Sequence, residues 1–170
     1  MRRVVMLLEN NPYPQDVRVR GEAEALVGAG HEVTVLAPLG DGQPRREVVR
    51  GVHVRRFRLP PDRETVGSLL LEYAVAHVQL IGRAVAALAR GADVVHLHNP
   101  PDTLFPAGAL ARLAGRRVVF DSHDLSPELF EEKFGASPLV AFMRLAQRLS
   151  FRIANLVIAT NESQADVARA

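Results

Sequence analysis

His123 stands between Ser122 and Asp124, at the end of the apolar run Val118-Val119-Phe120. Turns at strand ends commonly use Gly or Pro. An imidazole flanked there by a hydroxyl and a carboxylate is therefore a candidate for proton transfer or polar substrate binding. Three other apolar runs end in the same way. Val4–Leu8 is followed by Glu9, Asn10 and Asn11, with Asp16, Arg18 and Arg20 beyond; Val94–Leu97 leads to His98, Asn99 and Asp102; and Leu156–Ala159 leads to Thr160, Asn161 and Glu162. His123 is the strongest catalytic candidate. Asn10, Asn11, Asp16, Arg18, His98, Asn99, Asp102, Asp124, Thr160, Asn161 and Glu162 form the candidate binding set.

Each of these residues also has a plain structural use. Asn and Asp form turns and cap helices, and by that reading Asp16, Asp102 and Asn161 cap the helices that follow them. His96 and His98 are read as pointing to opposite faces of one strand, one toward a cleft and one into the core. His123 with Asp121 or Asp124 is too local to cage an ion. No metal site is expected.

The elements that position these residues alternate. Strands are predicted at 4–8, 33–37, 52–58, 94–98, 117–121 and 156–159, and helices at 17–28, 66–89, 103–114, 127–134, 138–153 and from Glu162 onward. In the helix from Val17, the apolar residues Val19, Ala23, Leu26 and Val27 fall at helical spacing. The segment Leu39–Arg46, with Gly40, Gly42 and Pro44, and the segment Pro60–Thr65 read as loops. This βαβ alternation predicts an α/β fold with a mostly parallel sheet and helices on both faces. In such sheets ligands bind beyond the carboxyl ends of the strands, which places the polar strand ends along one edge.

The helix at 66–89 is long enough to raise the question of a membrane span. Ser68, Glu72, Gln79 and Arg83 form one polar stripe on it, at about 100° per residue, with His77 on the opposite side. That pattern fits burial against a sheet, and the charges make a span costly.

Composition narrows the function classes. The 170-residue chain is 48% hydrophobic and 24% charged, with a formal net charge of +2, as expected for one globular domain. Its basic residues are spread out, Lys133 is its single Lys and aromatics are 5%, so nucleic-acid binding is not expected. It has no Cys, which excludes disulfides and thiolate chemistry. The five-residue apolar run after Met1-Arg2-Arg3 is too short for a signal peptide. There is no G-x-G-x-x-G after the first strand, no Walker A sequence and no G-x-S-x-G elbow.

Four segments carry a resemblance. L-V-G-A-G-H-E-V-T-V-L at 26–36, D-V-V-H-L-H-N at 93–99, V-V-F-D-S-H-D at 118–124 and N-L-V-I-A-T-N-E-S at 155–163 resemble, in order, motifs of the N-terminal domain of family 4 (group 1) retaining glycosyltransferases. Asp16, Arg18 and Arg20 resemble the first loop and helix start of one subgroup. The resemblance implies a GT-B fold, in which two Rossmann-like, doubly wound domains face each other across a cleft. Residues 1–170 would be the N-terminal, acceptor-side half, with the donor domain and its Glu-x7-Glu motif absent, and the half alone is expected to be inactive. The implied co-substrate is a nucleotide-sugar and the implied acceptor a glycan, a lipid-linked sugar or a small molecule, with no cofactor. His123 matches the family's cleft histidine. The loop after the first strand reads E-N-N-P-Y-P-Q-D, where many members carry Gly-Gly. A cytoplasmic location follows, with peripheral contact at the inner face of the membrane left open; the sequence assigns no oligomeric state. Two alternatives stand beside this reading: another GT-B enzyme, such as a sugar-nucleotide 2-epimerase, and a non-catalytic glycan-binding module.

Overall fold

A computed structural model describes residues 1–61 and 66–169. Seven strands form one sheet: β1 (Arg3–Leu7), β2 (Glu32–Pro38), β3 (Arg46–Val49), β4 (Val52–Phe57), β5 (Val94–His98), β6 (Arg117–Ser122) and β7 (Leu156–Ala159). Their order is β3-β4-β2-β1-β5-β6-β7, and all pairs are parallel except β3 with β4. The helices are α1 (Val17–Gly28), α2 (Val66–Ala89), α3 (Phe105–Leu113), α4 (Ser126–Phe134), α5 (Pro138–Ile153) and α6 (Glu162–Arg169). The mostly parallel α/β architecture expected from the sequence is the one observed.

Alternation along the strands divides the core in two, because successive side chains point to opposite faces. Val5, Leu7, Val95, Leu97, Val118 and Phe120 point to one face and pack with Leu80 of α2 and Ala107 and Ala111 of α3. Val4, Met6, Leu8, Val33 and Val35 point to the other and pack with Val19 and Ala23 of α1. Gly108 lets α3 lie close to the sheet; a Cβ there would stand 3.1 Å from Leu97 and from Ile153.

Three details depart from the sequence reading. The segment at 46–49 is a strand, where the sequence pattern ends a loop at Arg46 and assigns nothing to 47–51; it is short and alternately exposed, so it carries little apolar signal. The helix expected from Thr103 starts as a 3-10 turn at Asp102–Leu104, and α3 proper begins at Phe105. Asp102 does not cap it; its carboxylate accepts from Asn99 Nδ2 instead. Of the loop at 60–65, residues 62–65 lie outside the described residues.

The chain steps from β1 outward to β2, then returns through α2 to place β5 on the other side of β1. This reversal puts a crevice at the carboxyl ends of β1 and β5, the position where open α/β sheets bind ligands. No helix among the described residues is long and apolar enough to cross a membrane. His77 Nε2 lies 2.7 Å from Thr103 Oγ1, which ties α2 to the turn before α3.

Candidate functional site

The strands β1, β5, β6 and β7 are consecutive neighbours and all parallel. The residues following them therefore share one edge of the sheet. Asn10 and Asn11 are exposed beyond β1, Asn99 is buried beyond β5, His123 is buried and Asp124 half-buried beyond β6, and Thr160, Asn161 and Glu162 are exposed beyond β7. Asp16 and Arg18 join them at the start of α1. Asp16 accepts from the N–H groups of Arg18 at 3.0 Å and Val19 at 3.2 Å, as its expected capping role requires. Arg18 lies 3.6 Å from Asp16 Oδ2 and is 45% exposed, which leaves its charge available to a ligand.

Two side-chain amides fix the backbone of His123. Asn99 Oδ1 accepts the His123 N–H at 2.5 Å and the Asp124 N–H at 3.3 Å. Asn99 Nδ2 donates to Asp124 O at 2.7 Å and to Asp102 Oδ1 at 3.1 Å. From the other side, Gln164 Nε2 donates to His123 O at 2.5 Å. Gln164 is held in turn: its N–H is capped by Asn161 Oδ1 at 2.9 Å, and its Oε1 accepts from Thr160 Oγ1 at 2.6 Å. Asn99, Thr160 and Asn161 thus spend their polar groups on the scaffold around His123, and Asp102 anchors it further through Ser150, whose hydroxyl donates to Asp102 O at 2.8 Å.

The His123 ring sits beneath the surface. Its Nε2 lies 3.1 Å from Asp121 Oδ2, and its side chain is 2% exposed. Burial pushes its imidazole below the ordinary range; the Asp121 carboxylate opposes that push, and Arg18 and His98 add to it. The ring is therefore neutral at pH 7. The rings of His98 and His123 stack with centroids 5.8 Å apart.

The two β5 histidines do not splay. Their ring centroids are 4.2 Å apart, because residues two apart on a strand share a face. The expectation of opposite faces was a misapplied alternation. Both rings meet Glu22 of α1, with Oε2 at 3.7 Å from His96 Nε2 and 4.0 Å from His98 Nδ1. His98 Nδ1 also lies 3.3 Å from Asp121 Oδ2. Burial, then the neighbouring Asp121 carboxylate, raises the Glu22 carboxyl to about 8. Burial would raise Asp121 too, but the pull of His98 and Glu22 outweighs it and holds that carboxyl below its ordinary range. Burial and His98 push His96 well below the usual imidazole range.

The sequence reading left out Glu22, His96 and Gln164 as contributors. Glu22 had a legible signal: it lies three residues after Val19 and four before Leu26, on the buried stripe of α1. Glu9 is a further addition. It is buried beyond β1, and burial, with help from Glu72, raises its carboxyl to about 7. A cavity of about 700 Å³ lies elsewhere, lined by arginines of β1, β3, β4 and α2 such as Arg3, Arg46, Arg55 and Arg83 and by none of the candidate residues. The fold gathers there basic residues that are scattered in the sequence.

Residues 15–170 match the family described as Glycosyl transferase 4-like domain. A search of curated proteins gives no match. Among solved structures, sucrose-phosphate synthase from Thermosynechococcus elongatus aligns with TM-score 0.60 and 15% identity over 99% of this chain and 45% of that one. A UGT transferase from Siraitia grosvenorii in complex with UDP aligns with TM-score 0.58 and 12% identity over 98% and 47%. MurG from Acinetobacter baumannii aligns with TM-score 0.52 and 16% identity over 94% and 41%. The chain spans less than half the length of each of these three structures. At these identities the likeness establishes a shared fold.

Proposed function

The chain belongs to the glycosyl transferase 4-like domain family, and from that premise we propose that it is the acceptor-side half of a retaining glycosyltransferase. Such an enzyme moves a sugar from a nucleotide-sugar to a glycan, lipid-linked or small-molecule acceptor. A second domain would hold most of the donor, and residues 1–170 would transfer no sugar alone. No cofactor takes part in the transfer.

The observation that carries this reading is the placement of His123. It lies at the carboxyl edge, its backbone is fixed from both sides, and its imidazole, with its pKa lowered mainly by burial, feels the charge of the half-exposed Arg18. Retaining transfer develops positive charge at the anomeric carbon and negative charge on the departing diphosphate. Fixed donors and charges that already point at those centres lower the barrier without reorganising. In this assignment Arg18 offers its guanidinium to an anionic group, Asn10 and Asn11 bind hydroxyls, and His123 acts beside the transferred sugar.

The test is transfer by the two-domain protein. Nucleoside diphosphate release from a panel of nucleotide-sugars, followed by NMR of the product's anomeric proton, reads both activity and stereochemistry. Retention of configuration is expected. Inversion, or epimerisation of the donor sugar without transfer, overturns the assignment.

A further inference from the structure

Below His123, four side chains from three elements converge on one buried point. Glu22 comes from α1, His96 and His98 from β5, and Asp121 from β6, where it sits directly across from His98 in the sheet register. One potential ligand atom from each lies within 4.8 Å of the other three. The side chains of His96, His98 and Asp121 are 5%, 0% and 1% exposed. Glu22 Oε2, His96 Nε2, both His98 nitrogens and both Asp121 oxygens are buried without a hydrogen-bond partner. Buried polar atoms are nearly always satisfied, so this many unpartnered ones, aimed at one another, call for a common partner.

We propose that this cluster is a binding site for a divalent transition metal, with Zn²⁺ the best match. Spacing, donor type and charge all favour such an ion. The first is spacing. Zn²⁺ bonds of about 2.0–2.2 Å in a tetrahedron put ligand atoms about 3.4 Å apart, whereas a central water with bonds of about 2.8 Å would hold them roughly 4.6 Å apart. The separations of 3.3 and 3.7 Å lie nearer the metal geometry, that of 4.0 Å falls midway, and all four ligand atoms lie within 4.8 Å of one another. The second is donor type. Two imidazoles with two carboxylates suit Zn²⁺ and its first-row neighbours; Mg²⁺ and Ca²⁺ prefer oxygen alone. The third is charge. In their ligating forms, two carboxylates and two imidazoles carry −2, which a divalent cation neutralises; the proton that Glu22 holds without the ion is released on binding. His123 Nε2, 3.1 Å from Asp121 Oδ2, stands where an outer partner orients a ligating carboxylate.

Four protein ligands make a closed, structural site, with no open position for substrate. The ion would pin α1 to β5 and β6 under His123 and take no direct part in sugar transfer. The proposal therefore stands or falls apart from the transferase assignment.

The experiment uses the full 170-residue chain, stripped with EDTA and dialysed, then titrated with ZnCl₂ by calorimetry and checked by elemental analysis. One tightly bound Zn²⁺ per chain is expected, with a rise in melting temperature that EDTA reverses. The double variant His96→Ala/His98→Ala should lose the bound ion, and Glu22→Gln should weaken it by about 10-fold or more. Binding that is absent, or that persists unchanged in the double variant, overturns the site. Should that variant fail to fold, Co²⁺ added to the unmodified chain decides. An intense visible spectrum of tetrahedral Co²⁺ supports the site, and a weak octahedral spectrum overturns it.

Discussion

Asn99 Oδ1 accepts the backbone N–H of His123 at 2.5 Å, from the end of the neighbouring strand β5. The same side chain reaches Asp102 and the backbone of Asp124, so one buried amide joins two strand ends and the turn before α3. Asn99→Ala would leave the buried His123 N–H unpaired, which costs about 1–3 kcal/mol per group. Destabilisation of about 2–3 kcal/mol is expected, read as a fall in melting temperature of roughly 5–10 °C. A variant melting within 2 °C of the parent, by the same ~2–4 °C per kcal/mol scaling, would show that the amide is dispensable.

Gln164 holds the other side of His123, donating to its carbonyl from the first turns of α6. Gln164→Leu keeps the bulk and removes the clamp. In the two-domain protein it should lower kcat several-fold while nucleotide affinity changes less than twofold, because the lost group positions His123 and does not touch the nucleotide. Equal losses in kcat and in nucleotide affinity would assign Gln164 to general folding.

His123→Ala separates catalysis from scaffolding more directly. A positioned proton donor or acceptor contributes ~10²–10⁴-fold, and interactions made only in the transition state appear in kcat. A kcat loss of that order with nearly unchanged nucleotide binding is the expected result. A turn-closing role would instead lower stability by about 1 kcal/mol and leave the kcat of the folded fraction intact.

The parallel sheet was legible because its strands are short β-branched runs separated by helical periodicity. The polar edge at the carboxyl ends of the strands was legible because those runs end in polar residues. β3 was not, since Arg46–Val49 is four residues long and alternately exposed. Asp102 misled because a helix-capping residue type follows a strand there, and only the fold reveals that Asn99 claims its carboxylate. Gln164 lies in the first turn of α6 with its partner 41 residues away, and no local pattern announces such a contact. The Glu22–His96–His98–Asp121 cluster was within reach: correct use of the strand period puts both histidines on the α1 face, and Glu22 lies on the buried stripe of that helix. Joining them requires knowing that α1 lies where Glu22 reaches the β5 histidines, which is a matter of topology.

The isolated 170-residue chain should release no nucleoside diphosphate from any nucleotide-sugar above the rate of hydrolysis without protein. Transfer requires donor and acceptor held together in one geometry, and the donor side is assigned to the second domain. Adding that domain as a separate chain, under conditions where the two associate, should restore turnover. Turnover by the 170-residue chain alone would place the donor site within it.

The buried carboxyl of Glu9 gives stability a defined pH dependence. Burial, and secondarily Glu72, raises it from 4.5 to about 7. Below pH 4.5 both the folded and the unfolded chain carry the proton, and the contribution to stability is complete. As the pH rises, the unfolded chain releases its proton first, while the folded chain keeps it until about 7; the contribution is lost across that window. At about 1.4 kcal/mol per pH unit the loss is on the order of 3 kcal/mol. His96 runs the other way: its depressed imidazole contributes above pH 6.5 and loses that contribution as the pH falls toward its folded value. Glu9→Gln isolates the carboxyl, because the amide cannot ionise and His96 is common to both proteins. Urea unfolding at pH 4.5 and pH 8.0 should therefore show the variant gaining about 2–3 kcal/mol relative to the parent between the two conditions. A difference that stays constant with pH would mean that Glu9 ionises in the folded chain as readily as in water.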